Sequence, residues 1–279
     1  MEIFRTTAEL EERLKGVNSQ DVGFVPTMGA LHSGHISLVE QARCNNRVVV
    51  VSIFVNPTQF NDKSDLKHYP STPEQDIAKL EAAGVDMLYM PSSFEEVYPE
   101  GEQMRSFDFG LIEQVMEGAT RPGHFNGVAQ VVSRLFDIVK PSRAYFGAKD
   151  FQQVAVIKAM ISQMNYSVEI VECPIVRAED GLALSSRNEL LTSEHRAAAP
   201  SIYSALLKGV ELSSTHSPEQ VKRSVVDAIN SEQLEVVYFD IVDAGSMQSV
   251  NSWSESDSVQ GCVAVKAGAV RLIDNIKFR

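Results

Sequence analysis

Apolar and polar positions divide this chain into alternating blocks. "DVGFVPT" (21–27) and "RVVVVSIFVNP" (47–57) are near-continuous apolar runs rich in β-branched residues, the texture of strands buried on both faces. Between them "ISLVEQAR" (36–43) sets Ile36, Leu38 and Val39 on a helical spacing, giving a strand, helix, strand unit. The alternation continues. Thr6 with Glu9 predicts a capping box opening a first helix, and "TPEQDIAKLEAAG" (72–84) predicts another, with Thr72 as N-cap, Pro73 at the first helical position and Gln75 completing a second capping box. "VDMLYMP" reads as a strand, "FNGVAQVVSRLFDIVK" as an amphipathic helix with Val128, Val131, Val132, Leu135 and Phe136 on one side, and "RAYFG", "FQQVAVIKAMISQM" and "SVEIVECPIV" as strand, helix, strand.

This order predicts an α/β fold, a doubly wound parallel sheet with right-handed crossovers over residues 1–176. Beyond "SSRNELL" the texture changes. Thr192 and Ser217 with Pro218 start two helices, "LEVVYFDIVDA" alternates, and "GCVAVKAGAVRLIDNI" looks like a hairpin, so residues 177–279 are expected to form a smaller C-terminal α+β domain. The segment around Asn61 to Tyr69 is polar, has no apolar period, and is a candidate closing loop.

Charge and composition narrow the function. A net charge of −12, from 37 acidic and 25 basic residues, disfavours a broad nucleic-acid or anionic-membrane footprint while leaving room for a small anionic substrate. Cys44, Cys173 and Cys262 are odd in number and far apart, which suggests neither a disulfide framework nor a paired-cysteine zinc site and favours a reducing cytoplasm. No signal-like segment opens the chain, and its longest apolar run, Val48 to Val55 broken by Ser52, is far short of a membrane span.

In an open α/β sheet ligands collect at the carboxyl ends of strands where the order reverses, so the loop after the first long strand, "PTMGALHSGH", is the leading candidate site. Gly29 and Gly34 allow close backbone approach, a helix beginning near His35 offers N–H groups to phosphate, and His32 and His35 add donors. The stretch has neither the Lys-Ser/Thr end of a P-loop nor the glycine spacing of the dinucleotide fingerprint. Taken alone, two histidines three apart also read as a structural pair or part of a metal site. Further along, "YFGAKDFQQ" and "GLALSSRNELL" bring Lys149, Ser185, Ser186 and Arg187 to strand ends, a set suited to charge moving onto a leaving pyrophosphate. Singly these too have plain readings: Lys149 with Asp150 as a surface ion pair, "SSRN" as a helix cap.

Together "PTMGALHSGH", "VSIFVNPTQF", "RPGHFNGVAQVV", "YFGAKDFQQ", "GLALSSRN" and "RLIDNI" resemble, in order and spacing over nearly the whole chain, the pantoate–β-alanine ligase family of the nucleotidyltransferase superfamily. The resemblance implies a Rossmann-like nucleotidyltransferase fold and ATP-dependent joining of (R)-pantoate to β-alanine through a pantoyl-adenylate, with release of pyrophosphate and AMP. "HSGH" is similar to the superfamily's His-x-Gly-His signature and "LSSR" to its second phosphate-binding signature. Carried over by position, Pro26, Thr27, Met28, Gly29, Ala30 and Leu31 lead into His32, Ser33, Gly34 and His35 along the ATP, with His35 the proton donor. Gly147, Ala148, Lys149, Asp150, Val176, Leu184, Ser185, Ser186 and Arg187 complete the nucleotide site.

Gln59 and Gln153 correspond to the glutamines that hold pantoate, with Asn56 assisting or simply capping a strand end. Neutral amides suit this acceptor: they hold its hydroxyls and leave the carboxylate free to attack. Magnesium is expected with the triphosphate, and Asp76 is the candidate to help hold it, or an acid that stabilises a helix dipole. A homodimer is expected. Three positions depart from the family's usual pattern: Leu184 stands for Met, Ser71 for Arg, and Gln75 for an acid beside Asp76. Two rivals remain, a transferase that keeps the nucleotide in its product and a catalytically inactive nucleotide-binding module. The paired glutamines oppose the first, and retention of both histidines, Lys149, both serines and Arg187 opposes the second.

Overall fold

The computed structural model describes residues 1–101 and 103–279. Along the chain run β1 (Glu2–Phe4), α1 (Thr7–Leu14), β2 (Val22–Thr27), α2 (Ser33–Asn45), β3 (Val48–Ile53), α3 (Lys63–His68), α4 (Pro73–Ala82), β4 (Met87–Tyr89), α5 (Met116–Thr120), α6 (His124–Val139), β5 (Arg143–Gly147), α7 (Phe151–Met164) and β6 (Glu169–Cys173). Then follow α8 (Ser193–Ala198), α9 (Ser201–Leu212), α10 (Pro218–Ile229), β7 (Glu235–Asp243), β8 (Val259–Ala267) and β9 (Val270–Lys277). They fall into two compact units. The first takes Met1–Phe109, Arg121–Ala148 and Gln153–Pro174; the second takes Gly110–Thr120, Lys149–Gln152 and Ile175–Arg279.

The first unit is built on a six-stranded sheet of order β1-β4-β3-β2-β5-β6 with every pair parallel, the Rossmann-like arrangement expected. Successive residues of β2 face opposite ways. Val25 packs with Leu38, Val39, Ala42 and Leu80 on the α2 and α4 side, while Phe24 meets Phe136 of α6 edge-on at 6.4 Å on the other. From β2 the chain steps outward to β3 and β4, then returns to lay β5 on the opposite side of β2. That reversal opens the crevice beyond the carboxyl ends of β2 and β5.

The second unit holds an antiparallel β7-β8-β9 sheet whose core is shared with α9 and α10 through Ile202, Leu206, Val221, Val225, Ile241, Val263 and Val265. The β8–β9 hairpin stands where the sequence places it, turning at Gly268 in the left-handed region. The capping boxes of Thr6 with Glu9 and of Ser217 with Gln220 both form. Thr72 differs. It makes no side-chain cap, and its hydroxyl instead donates to the Asp76 carboxylate at 3.1 Å, leaving Gln75 outside any capping box.

The helix predicted from Thr192 is split at Pro200 into α8 and α9, because proline supplies no N–H for a continuous helix. The polar segment between Asn61 and Tyr69 contains the short helix α3, capped by Asp62. No helix among the described residues is long and apolar enough to cross a membrane.

Candidate active site

The loop after β2 is held from beneath. Thr27 donates its hydroxyl to the Ser52 carbonyl at 2.7 Å and accepts from the Gly29 amide at 3.3 Å. Gly29 and Ala30 both take left-handed backbone, φ +84° and +50°, and a Cβ on Gly29 would stand 3.1 Å from Ile53 and 3.2 Å from the Asp76 carboxylate. Asp76, 1% exposed, accepts from the Ala30 amide at 2.8 Å and the Leu31 amide at 2.7 Å, one per oxygen. One turn further along α4, Lys79 donates to the Leu31 carbonyl. A carboxylate and an ammonium thus clamp the peptide groups of one strained corner.

That corner delivers two histidines to the start of α2, which begins at Ser33 and Gly34, two residues ahead of the position expected. His32 is the N-cap: its Nδ1 accepts from the Gly34 amide at 3.1 Å, while Nδ1 of His35 accepts from the His32 amide at 3.3 Å, a reciprocal capping box made of two imidazoles. Backbone amides only donate, so both Nδ1 atoms are unprotonated and each neutral ring carries its proton on Nε2. The rings lie 4.1 Å apart, centre to centre. The structural and the chemical readings of the pair are therefore one arrangement: capping by Nδ1 makes each Nε2 a donor.

At the end of β3, Asn56 is fully buried and caps the turn Pro57–Gln59. Its Nδ2 donates to the Gly127 carbonyl at 3.0 Å and to Oε1 of Gln59 at 3.3 Å, and its Oδ1 accepts from Thr58 and Tyr98 hydroxyls at 3.0 and 3.2 Å. The cap reading of Asn56 holds, with its amide engaged at both ends. Burial pushes Tyr98 up to about 12, so its hydroxyl stays a neutral donor. Gln59 donates to Sδ of Met28 at 3.0 Å, which ties it to the histidine loop, and its carbonyl accepts from Nδ1 of His124 at 2.7 Å. Gly127 explains the close seat of α6: a Cβ there would lie 2.4 Å from the Thr58 carbonyl oxygen and 2.6 Å from Cα of Gln59.

In the second unit Lys149, its side chain 18% exposed, has Nζ 3.5 Å from the Asp150 carboxylate. Val176 and Leu184 close a hairpin, the Leu184 amide donating to the Val176 carbonyl at 3.0 Å, with Gly181 at φ +92° in its turn. Ser185 follows as the cap of the turn Ser186–Leu190, accepting from the Arg187 amide at 3.3 Å, so the cap reading of "SSRN" holds while its hydroxyl proton remains available to donate. Of the adjacent glutamines, Gln152 is buried and spends its amide on the Glu117 amide and the Ile112 and Val115 carbonyls; Gln153 is half-buried on the first turn of α7, in the first unit.

Asp76 has both oxygens taken by loop amides, and no group of three or more His, Cys, Asp or Glu suited to a metal occurs among the described residues. The clamp of Asp76 and Lys79 and the support from His124 were missed. Their only trace is an acid and a base three apart on a helix, a pattern that says nothing of its target.

The family model described as pantoate-beta-alanine ligase matches residues 2–277. The pantothenate synthetase of Porphyromonas gingivalis is 54% identical over 281 residues, spanning 100% of this chain and 99% of that protein. That of Bacteroides fragilis is 51% identical over 282 residues at the same coverage. Among solved structures, the pantothenate synthetase of Thermus thermophilus superposes with a TM-score of 0.94 at 44% identity, covering 100% of this chain and 99% of that one. The pantoate-β-alanine ligase of Francisella tularensis, described as complexed with "Beta-gamma ATP" and β-alanine, gives 0.84 at 37% identity, covering 100% and 98%. On fold, motifs and likeness over its whole length, the chain belongs to the pantoate–β-alanine ligase family.

Proposed function

We propose that this enzyme condenses (R)-pantoate with β-alanine, converting ATP to AMP and pyrophosphate through a pantoyl-adenylate. The observation that carries the reading is the double-histidine cap on a clamped loop at the sheet's reversal point, tied through Met28 to a buried glutamine. A pantoate carboxylate oxygen attacks the α-phosphorus, and the bond from that phosphorus to the bridging oxygen breaks with its electron pair leaving on pyrophosphate. Charge grows on phosphate oxygens, where Nε2–H of His32 and His35 donate; Lys149, Ser185, Ser186 and Arg187 are assigned to the leaving pyrophosphate. His35 is assigned as proton donor. Gln59 and Gln153 hold the pantoate hydroxyls, with Asn56 fixing the Gln59 amide. In the second step the neutral amine of β-alanine attacks the acyl carbon, loses a proton, and expels AMP.

Pro26, Thr27, Gly147, Ala148, Asp150, Val176 and Leu184 are assigned as backbone and apolar contacts to the nucleotide. Both oxygens of Asp76 accept backbone amides, which assigns it first to holding the loop. Magnesium enters with the substrate as MgATP, held by phosphates. The three free thiols suit a reducing cytoplasm, and a homodimer is the expected assembly, to be read by analytical ultracentrifugation.

The test is exchange of labelled pyrophosphate into ATP with magnesium and pantoate present and β-alanine absent. Exchange that depends on pantoate is expected. ATP binding with no exchange for any hydroxy acid would overturn the reading in favour of a nucleotide-retaining transferase or an inactive module.

A further inference from the structure

The motif "RLIDNI" near the chain's end lies on β9 and holds none of the residues assigned above, yet it carries two adjacent buried polar residues, Asp274 at 5% and Asn275 at 4% exposure. Neighbouring strand residues face opposite ways, so the two serve different sides of the sheet. Asp274 shares its side with Val270 and Leu272, which join the core with α9 and α10. There it grips Arg177 at both ends, Nη1 to Oδ2 at 2.6 Å and Nη2 to Oδ1 at 2.9 Å. Arg177 in turn donates to the Gly181 carbonyl at 3.2 Å, stacks 3.6 Å above the Tyr203 ring, and pairs with Ala183 across the hairpin. That hairpin ends at Leu184 and hands the chain directly to Ser185, Ser186 and Arg187.

Asn275 faces the other way, with Arg271 and Ile273. Its Nδ2 donates to the backbone carbonyl of Lys149 at 2.8 Å, and its Oδ1 accepts from Nε2 of Gln260 on β8 at 2.6 Å. The Lys149 carbonyl can only accept, so the amide's orientation is unambiguous, and Gln260 locks it. On the same face, four residues back, Arg271 binds Glu117 and thereby the segment Gly110–Thr120. Within this unit one strand therefore holds both groups of residues assigned to the leaving pyrophosphate: the Lys149 turn by Asn275, and the Ser185–Arg187 turn by Asp274 through Arg177. Stability alone does not call for this arrangement, because a buried ion pair commonly gains nothing over a well-packed apolar replacement.

We propose that Asp274 and Asn275 are positioning residues for adenylate formation, fixing the Lys149 turn and the Ser185–Arg187 turn to one strand so that their spacing is constant. This rests on the function proposed above. Asn275 acts through the Lys149 carbonyl, and Asp274 through an arginine on the hairpin that leads into Ser185.

The experiment compares the full-length enzyme with Asn275→Ala and with Val265→Ala, a core substitution on β8 that lowers the melting temperature without touching either turn. For each protein, ATP affinity is measured by calorimetry, and pantoate-dependent pyrophosphate exchange is measured with separate KM values for ATP and pantoate. In Asn275→Ala exchange is expected to fall about tenfold and ATP affinity to weaken similarly, with the pantoate KM within about twofold, as suits a displaced binding group. Val265→Ala keeps wild-type exchange at temperatures where it is folded. Equal exchange in Asn275→Ala and wild type, or parallel losses in both variants, overturns the proposal. If Asn275→Ala does not fold, Gln260→Ala, which frees the Asn275 amide to turn, takes its place; exchange and ATP affinity within about twofold of wild type there also overturn it. Wild-type enzyme that binds ATP without pantoate-dependent exchange overturns the proposed function alone, and the variants' ATP affinities then decide the positioning claim by themselves.

Discussion

A single carboxylate carries much of the loop after β2. Asp76 gives one oxygen to each of two consecutive amides, and one of those residues, Ala30, sits in left-handed backbone that alanine seldom adopts. Replacing Asp76 by Asn turns an –NH2 toward one of these N–H donors, leaving a buried donor unpaired. The expected cost is about 1–3 kcal/mol of unfolding free energy with a raised KM for ATP. Denaturant titration and steady-state kinetics check both, and an unchanged ATP KM would mean that the loop keeps its shape without the carboxylate. His35→Ala removes the Nε2 donor together with half of the cap. Single-turnover adenylate formation is expected to slow at least tenfold, since removing one transition-state donor costs about 2.7–4 kcal/mol. Near-normal turnover would take His35 out of the mechanism. For the two histidines the sequence offered a structural pair, part of a metal site or donors to phosphate; only the Nδ1 contacts reveal that the structural pairing decides which ring nitrogen can donate.

Among the elements, the seat of α6 on the turn after β3 depends on the absence of one side chain. A methyl at Gly127 would overlap the Thr58 carbonyl and the Gln59 backbone, neither of them the end of a flexible side chain. Gly127→Ala is expected to cost about 1–3 kcal/mol as overpacking, and to raise the pantoate KM more than the ATP KM because Gln59 must shift. Equal changes in the two KM values would place Gln59 outside the acceptor pocket. The helices and long strands were legible in advance because their apolar period is set by their own backbone geometry. The three-residue strand β1 was not: Glu2–Phe4 is too short for a period and is a strand only because it pairs with β4 at the sheet edge. Thr72 shows the same limit from the other side, since a good cap residue is drawn off by a buried carboxylate four residues on.

For the protein's stability as a unit, one acid turn links folding to pH. Asp243 accepts from the Ser256 hydroxyl at 2.6 Å, from the Ser246 hydroxyl and amide at 2.7 Å each, and from the Gly245 amide at 3.2 Å; these bonds, the Ser256 hydroxyl foremost, hold its carboxyl down at about 2. A carboxyl with a depressed folded value stabilises the fold above its ordinary value of about 3.9, and that contribution is lost as pH falls toward about 2. Asp243→Asn is therefore expected to melt below wild type at neutral pH, with the difference shrinking between about pH 4 and pH 2. Thermal melts across that range check it; a constant difference would mean that the carboxyl does not titrate with unfolding.

The α/β alternation, the parallel sheet followed by an antiparallel hairpin, the signature loops and the family were all readable from the residues in order, because each is written in local periodicity or in short contiguous runs. What Asp76, Lys79, Gln152, Asp274 and Asn275 do became visible only in the folded arrangement. Each is a polar residue whose partner lies dozens of positions away, and the sign of a charge does not disclose which distant amide, carbonyl or guanidinium it will meet. The chain's own pattern builds the strands; the choice of which turn each buried polar group holds is made only when those strands are laid side by side.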